Sequence, residues 1–465
     1  MKILRSQKLL GLCCSVLLLA GCGSSGGESA TQTPPDSSPS DGTLTIWWAK
    51  SLYIQEDEAL EAAIAKWQEK TGNSAELIFV PQDDLSKNLT NALNAGTLPD
   101  LVFSPRIDAT STPRWAWQGQ LADVSSVVAP LKDKYTPAAL KAVSLYNKGT
   151  NKRSIYTVPI KQQTIYVHYW RDLLTEAGLN EADIPQEWDA FWDFWRQAQD
   201  NLRAKGNEDV YCCGLPLSSE ATDTHFLFEQ ILEAYDVSIV DADGNLLLDR
   251  PEVRSQIIKA LEFLVDFDRE GYVPADADNW TDGSNNKSFL EQQTVMTINP
   301  TLSIPGSQRE DEEIYRDRMV TTGFPREPDG EKMRYIVTIK QVAVFATSPN
   351  QEIAKDFLSY LIQPEHLGPY LENSFGRYFP VMPELTAKPF WNDPADPHIF
   401  ASTQQFQTEE TIPSAVSVSP AYTNLQAENI WGRAIERMVA DGWSAEEATE
   451  EAFDRIREIF GEWNR

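Results

Sequence analysis

Strand-like and helix-like patterns alternate along the first part of the chain, and this alternation constrains the fold more than any other feature. Strand patterns at 44–47, 77–80 and 101–103 enclose two apolar stripes with helical spacing, over 55–70 and 85–93. A strand–helix–strand–helix–strand order requires crossover connections, which place the strands side by side and parallel. The sequence therefore predicts an α/β fold built on a parallel sheet.

The length and the charge of the chain limit its architecture and its partners. The chain has 465 residues, whereas a single hydrophobic core stops growing at roughly 250–300 residues. Two lobes are therefore expected. The formal net charge of −29 would repel polyphosphate and anionic lipid, so nucleic acid is not an expected partner.

The first 22 residues have the pattern of an export signal. Lys2, Arg5 and Lys8 precede an apolar run from Leu9 to Ala20, which is shorter than the ~20 residues that a membrane-spanning helix needs. The run ends in Leu-Ala-Gly-Cys at 19–22, which resembles the lipobox of bacterial lipoproteins. The alternative is an ordinary secretory signal followed by a chance cysteine.

The lipobox resemblance implies cleavage before Cys22 and lipidation of that cysteine. Residues 1–21 are then a signal peptide, and 22–42 are the lipidated cysteine with a Ser/Gly/Pro-rich flexible tether. We expect the folded part to lie outside the cytoplasm, in the periplasm or at the cell surface of a bacterium, held at the membrane by the lipid alone.

Residues with metal or redox chemistry are few. After removal of the signal, Cys212 and Cys213 remain beside the lipidated cysteine, and they can be two reduced thiols on a strand or a strained vicinal disulfide. The run at 241–245 resembles part of a calcium loop but lacks its closing ligands, so a hairpin turn is expected. We predict no metal site, no cofactor and no catalytic residues.

Tryptophan is abundant, with 14 residues, and some of them stand next to polar residues at predicted strand ends. A tryptophan face can cover the C–H surface of a sugar ring while polar side chains bind its hydroxyls. Trp47, Trp48 and Trp280 are candidates for this role. Helical spacing instead predicts core positions for Trp67, Trp188, Trp192 and Trp195.

Several segments, in order, resemble the maltose-binding-protein superfamily, the extracellular solute-binding proteins of carbohydrate ABC transporters. The resemblance covers about residues 43–380. Its segments are Val-Pro-Gln-Asp-Asp-Leu…Ala-Gly-Thr-Leu-Pro-Asp-Leu-Val at 80–102, Tyr-Thr-Val-Pro-Ile at 156–160, Arg-Asp-Leu-Leu-Thr-Glu-Ala-Gly at 171–178, Ile-Pro-Gln-Glu-Trp at 184–188, the run 289–300 and the run 348–358.

The resemblance implies a two-lobed periplasmic-binding-protein fold of the class II type, with three hinge crossovers and a ligand cleft between the lobes. The first lobe is predicted at 43–158 plus 300–346, and the second at 159–299 plus 347–465. The implied protein is a monomer and not an enzyme, and it delivers a sugar or sugar-like solute to a membrane permease. Which sugar is bound stays open.

Family positions suggest the ligand-binding residues. The candidates are Trp47, Trp48, Ser104, Arg106, Gln163, Ser219, Trp280, Asn299, Arg377 and Tyr422. The sequence departs from the maltose-binding pattern at 301–303, where Thr-Leu-Ser stands in place of tryptophans. This departure favours a disaccharide or a glucosyl-polyol over a maltodextrin.

Three alternatives remain at the level of sequence, and one of them is a structural or signalling lipoprotein that uses the clamp to present its ligand to a sensor. Arg106 or Arg377 could hold a phosphorylated polyol such as glycerol 3-phosphate or one of its diesters. A membrane-anchored glycoside hydrolase would instead need a pair of carboxylates in the cleft.

Overall fold

The computed structural model describes residues 42–463. The predicted signal peptide, the lipidation site at Cys22 and nearly all of the predicted tether lie outside the described residues. They stay predictions.

The strands form two larger sheets and one hairpin. They are β1 (Thr43–Ala49), β2 (Ser74–Val80), β3 (Leu101–Phe103), β4 (Ser144–Asn147), β5 (Lys152–Ile155), β6 (Thr157–Gln163), β7 (Tyr166–Trp170), β8 (Tyr211–Gly214), β9 (Thr294–Asn299), β10 (Met319–Thr322), β11 (Tyr335–Val344) and β12 (Thr411–Pro413).

Helices connect these strands and cover the sheets. They are α1 (Ile54–Thr71), α2 (Gln82–Ala95), α3 (Ile107–Thr110), α4 (Thr112–Trp117), α5 (Ser125–Val128), α6 (Pro137–Val143), α7 (Arg171–Ala177), α8 (Trp188–Ala204), α9 (Thr222–Ala234), α10 (Pro251–Arg269), α11 (Ser284–Leu290), α12 (Ser303–Gly306), α13 (Gln351–Leu361), α14 (Pro364–Glu372), α15 (Pro383–Thr386), α16 (Pro397–Thr408), α17 (Ala421–Ala427), α18 (Ile430–Val439) and α19 (Ala445–Trp463). Short helical turns lie at Ala129–Lys134, Glu181–Asp183, Ala277–Asn279, Glu313–Arg318, Pro389–Asn392 and Ala415–Ser417.

The first sheet has the strand order β12-β11-β3-β1-β2, and β6 also pairs with β11. Strand β1 runs parallel to both β2 and β3, as the alternating pattern predicts. Helices α1 and α2 end at Gly72 and Gly96, whose positive φ angles of 74° and 71° suit a residue without a side chain. The predicted parallel α/β unit is therefore confirmed.

Adjacent tryptophans of β1 lie on opposite faces of the first sheet, because successive side chains of a strand alternate. Trp48 packs with Leu60 and Trp67 in the cluster that we call the first-sheet core. Trp47 packs with Leu85 on the other face. The core positions predicted for the helical tryptophans are confirmed: Trp67, Trp188, Trp192 and Trp195 are all at most 3% exposed.

The second sheet has the order β10-β7-β9-β8 and a hydrophobic core of its own, the second-sheet core. The chain passes between the sheets three times: from β6 to β7, from β10 to β11, and after β12. The number of crossings agrees with the three hinge crossovers that the family resemblance implies, whereas the second and third lie further along the chain than the bounds given above.

The predicted lobe boundaries stay a prediction, and the packing groups some segments differently. Met319 and Phe324 belong to the second-sheet core. Phe357 and Leu361, on α13, belong to the first-sheet core with β1.

Smaller predictions can also be located. Cys212 and Cys213 are buried, free cysteines on β8. The 241–245 segment is a turn closed by an antiparallel bridge between Val240 and Leu246, so the predicted hairpin turn is confirmed. Within 42–463, His, Cys, Asp and Glu side chains form no group of three or more that could hold a metal ion. None of the helices in that range is both long and apolar enough to cross a membrane.

Candidate functional site

A cleft of about 490 Å³ has walls that come from elements of both sheets. On the first-sheet side it is lined by the segment after β3, the end of β6, β11 and the loop after α14. On the second-sheet side it is lined by the start of α9, the start of α11, the segment after β9 and the end of α17. Because strand ends and helix ends converge here, the cleft is lined mainly by polar side chains.

Four of the predicted site residues line this cleft. Arg106 lies in the loop after β3, three residues beyond its end, and Gln163 is the last residue of β6. Asn299 ends β9, and Arg377 lies in the loop after α14. The structure therefore brings together Arg106, Gln163, Asn299 and Arg377, although their role in binding stays a prediction.

The predicted aromatic residues are placed elsewhere. Trp47 and Trp48 are buried on the two faces of the first sheet, where Trp48 stacks on Phe103 with ring centroids 4.4 Å apart. Trp280 is buried in the second-sheet core. Tyr422 is buried and donates a hydrogen bond to the Glu229 carboxylate.

The two predicted serines also lie outside the lining of the cleft. Ser104 is 1% exposed, and its hydroxyl accepts a hydrogen bond from the backbone N–H of Arg106 over 3.3 Å. Ser219 lines a separate groove of about 510 Å³ between α18 and α19. For Ser104 the contact indicates support of the Arg106 loop.

Cationic groups dominate the first-sheet wall. Lys340, on β11, is buried and lies 3.2 Å from the Asp108 carboxylate. Burial lowers the pKa of Lys340, the Asp108 carboxylate opposes that shift, and the Arg377 and Arg106 guanidinium groups lower the pKa further. The Arg377 Nε atom is buried, and no described residue offers it a hydrogen-bond partner. This wall therefore carries donor groups that are not all satisfied within the protein.

Acceptors dominate the second-sheet wall, and sequence reasoning missed them. Asp282 accepts a 2.7 Å hydrogen bond from the Thr222 hydroxyl at the start of α9. Burial and the neighbouring Asp282 carboxylate raise the pKa of Asp223 to about 8. The side-chain oxygens of Asn286 and Gln426 are buried and have no hydrogen-bond partner among the described residues. Only the position of these residues at helix ends could have indicated them.

One ion pair joins the two walls. The Arg106 Nη2 atom lies 3.5 Å from Asp282 Oδ2, and the two side chains are 43% and 38% exposed. At that exposure an ion pair contributes about 0–1 kcal/mol. The pair therefore links the walls without locking them together.

Comparison with known proteins identifies the family. A family model described as bacterial extracellular solute-binding protein matches residues 62–401. The chain belongs to the bacterial extracellular solute-binding proteins. Because this family acts outside the cytoplasm, the folded part of this solute-binding protein does so too.

Individual relatives agree with the fold. The galactooligosaccharide-binding protein of Bacillus subtilis (strain 168) is 21% identical over 443 residues, which is 91% of each chain. A solute-binding protein of an ABC transporter from Thermotoga lettingae, bound with α-D-tagatose, aligns with a TM-score of 0.71 at 21% identity, over 90% of this chain and 100% of that one. UgpB from Mycobacterium tuberculosis, in complex with glycerophosphocholine, aligns with a TM-score of 0.70 at 17% identity, over 92% and 100%. These likenesses confirm the predicted two-lobed periplasmic-binding-protein fold.

Proposed function

We propose that this solute-binding protein is the substrate-binding component of an ABC importer and captures a sugar or sugar-like solute in the cleft. The observation that carries the proposal is a set of buried polar atoms without partners on both walls: Arg377 Nε on one side, and Asn286 Oδ1 and Gln426 Oε1 on the other. A buried polar atom left without a hydrogen bond costs about 1–3 kcal/mol. A ligand rich in hydroxyls supplies donors and acceptors for all three atoms.

Binding by two walls also explains how capture would be signalled. A ligand favours a closed arrangement only through contacts that it gains there, and this cleft draws its contacts from both sheets. A permease then distinguishes loaded from empty protein by its closure. The relatives from Bacillus subtilis and Thermotoga lettingae are described as binding proteins, which supports capture without chemical change.

A thermal-shift panel of sugars, polyols and phosphoesters on the full-length protein tests this proposal. A ligand that binds only the folded state adds about 2.7 kcal/mol of stability at a hundredfold excess over its Kd. We expect at least one neutral or charged sugar to raise the Tm. Cleavage of an oligosaccharide during long incubation, detected by chromatography, would instead support the hydrolase alternative.

A phosphorylated polyol is a second candidate ligand, and Arg377 favours it. Arg377 forms no ion pair with any described residue, and its guanidinium group lies 5.2 Å from the ring centroid of Tyr378. Arginine suits phosphate because its fork of N–H donors binds two oxygens at once. The likeness to UgpB, whose structure contains glycerophosphocholine, agrees with this candidate.

Replacement of Arg377 separates the two ligand classes. We expect Arg377→Ala to abolish binding of glycerol 3-phosphate, whereas binding of a neutral disaccharide falls only severalfold, because a neutral ligand loses one hydrogen bond and no charge pair. Isothermal titration calorimetry measures both affinities. Arg316→Ala, which replaces an arginine outside the cleft lining, is the control. Equal losses for the two ligands contradict this distinction.

The membrane anchor is part of the proposal. The lipobox pattern at 19–22 supports lipidation of Cys22, and a lipid would keep the cleft close to a permease. In cells that express the protein, Cys22→Ser should move it from the membrane fraction to the soluble fraction. If the variant stays in the membrane fraction, another segment holds it there.

A further inference from the structure

Two aspartates line the cleft, and Asp223 is the one that forms no ion pair with a described residue. Its neighbour Asp282 is compensated by the Thr222 hydroxyl and by Arg106. Asp223 forms no ion pair with any described residue, and its side chain receives only a long hydrogen bond of 3.4 Å from Asn285 Nδ2. Asp223 therefore has room for a further partner, and it lines the cleft.

Two neutral acceptors of the same cleft also lack donors. Gln426 is 5% exposed, and no described residue donates a hydrogen bond to its Oε1 atom. Asn286 Oδ1 is buried and equally without a donor. Both residues line the same cleft as Asp223. These oxygens point independently to a ligand that brings N–H or O–H donors.

The charged groups around Asp223 leave its ionised form poorly compensated. Asp282, before α11, raises the pKa of Asp223 in addition to burial, while Asn285 and Arg106 lower it, and the resulting value is about 8. Arg106 already forms an ion pair with Asp282. A cation delivered into the cleft would stabilise the ionised form of Asp223.

We propose that the second-sheet wall of the cleft binds a protonated amino group, with Asp223 as its ionic partner, so that the solute is an amino sugar. An ammonium group brings one positive charge and three N–H donors, which matches one uncompensated carboxyl group and two orphaned amide oxygens. A hydroxyl group brings one donor and no charge. This inference rests on the proposed function, because it concerns the same cleft.

The test compares two disaccharides with the same sugar backbone, whose two amino groups are free in one and acetylated, and therefore uncharged, in the other. Isothermal titration calorimetry of the full-length protein is carried out with the glucosamine disaccharide and with N,N′-diacetylchitobiose. We expect the amine form to bind at least tenfold more tightly. Near pH 6, binding of the amine should also release a proton from Asp223, so the measured heat should change with the ionisation enthalpy of the buffer. The acetylated form should release none.

The variants Asp223→Asn and Glu220→Gln complete the experiment. Asp223→Asn should remove both the preference for the amine and the proton release. Glu220→Gln, which replaces an exposed acid three residues away, should leave both unchanged. Retention of the thermal unfolding transition by Asp223→Asn shows that the variant is folded.

Equal binding of the two disaccharides, or no binding of either, overturns the amino-sugar inference. So does proton release that persists in Asp223→Asn. If neutral sugars of the wider panel bind while the amine gives no advantage, only this inference fails. If no sugar or polyol binds at all, the proposed function fails with it.

Discussion

At the scale of single residues, charge compensation decides which groups of the cleft are available to a ligand. Burying a charge is costly unless an opposite charge lies close by. Most charged groups in and below the cleft meet this condition within the protein. The pairs are Lys161 with Glu56, Lys340 with Asp108, and Arg106 with Asp282. Arg377 and Asp223 remain, and they are the groups on which the ligand proposals depend.

Asp223 should make the stability of the protein depend on pH. Its pKa is about 8 in the folded state against 3.8 for an unperturbed aspartate, so between about pH 4 and pH 8 the folded state keeps a proton that the unfolded state releases. Stability contributed by this group is therefore lost as the pH rises through that range. We expect the stability of Asp223→Asn relative to the wild type to be greater at pH 8 than at pH 5, by ~1–3 kcal/mol or more.

Urea unfolding at the two pH values measures this difference, with Glu220→Gln as the control for loss of an exposed acid. The comparison between variant and wild type cancels the other titrating groups. A difference in unfolding free energy that is the same at pH 5 and pH 8 would show that Asp223 is already ionised in the folded protein at pH 5.

Family positions in the sequence predicted four residues of the cleft lining, and most of the lining was missed. Gln163 and Asn299 are the last residues of their strands and Arg106 lies in the loop after β3, which is where open α/β sheets place their ligand sites. Asp223 and Gln426 come from the ends of helices, where polar residues are usually caps or solvated groups. Their position in the cleft depends on contacts between distant segments, which composition and spacing do not encode.

At the scale of elements, local periodicity was enough wherever a segment packs against its neighbours in sequence. The β1–α1–β2–α2–β3 unit was predicted because each stripe faces a sheet made of adjacent strands. The start of α19 is another local feature: Ser444 and Glu447 have the spacing of a capping box, and Glu447 N–H donates to the Ser444 hydroxyl over 3.2 Å. Such signals depend on only a few residues.

Periodicity does not say which sheet a stripe covers. Helix α13 has a clear apolar face, yet only the structure shows that Phe357 packs in the first-sheet core. Strand β11 pairs antiparallel with β3 across more than two hundred residues of sequence. Trp47 and Trp48 show the same limit, since a buried strand between two helical layers has no solvent-facing side.

At the scale of the whole molecule, the half built on the first sheet contacts the half built on the second sheet both in the cleft and away from it. Beside the Arg106–Asp282 pair in the cleft, Trp117 meets Trp463 edge to face, with ring centroids 4.9 Å apart. Trp117 ends α4, whose Trp115 belongs to a first-sheet cluster. Trp463 ends α19 and packs against the second-sheet core. This aromatic pair therefore joins the halves at residues that do not line the cleft.

A contact that exists only when the halves are together should strengthen ligand binding from a distance. An aromatic pair contributes about 0.5–1.5 kcal/mol beyond its buried area, and the apparent affinity scales with the fraction of molecules in the binding-competent arrangement. We expect Trp463→Ala to weaken ligand binding about 2- to 10-fold, measured by calorimetry with the ligand found in the thermal-shift panel. The substitution touches no cleft residue, so the ligand's own contacts should be unchanged.

The matched control is Glu462→Ala, because Glu462 is the exposed neighbour of Trp463 on the same helix. Small-angle scattering supplies a second measurement: without ligand, Trp463→Ala should have a larger radius of gyration than the control, and saturating ligand should remove the difference. Equal affinities and equal radii for the two variants would mean that the tryptophan pair does not depend on closure. In that case the energetic difference between open and closed arrangements would have to come from the cleft itself, where the Arg106–Asp282 pair is the remaining link between the walls.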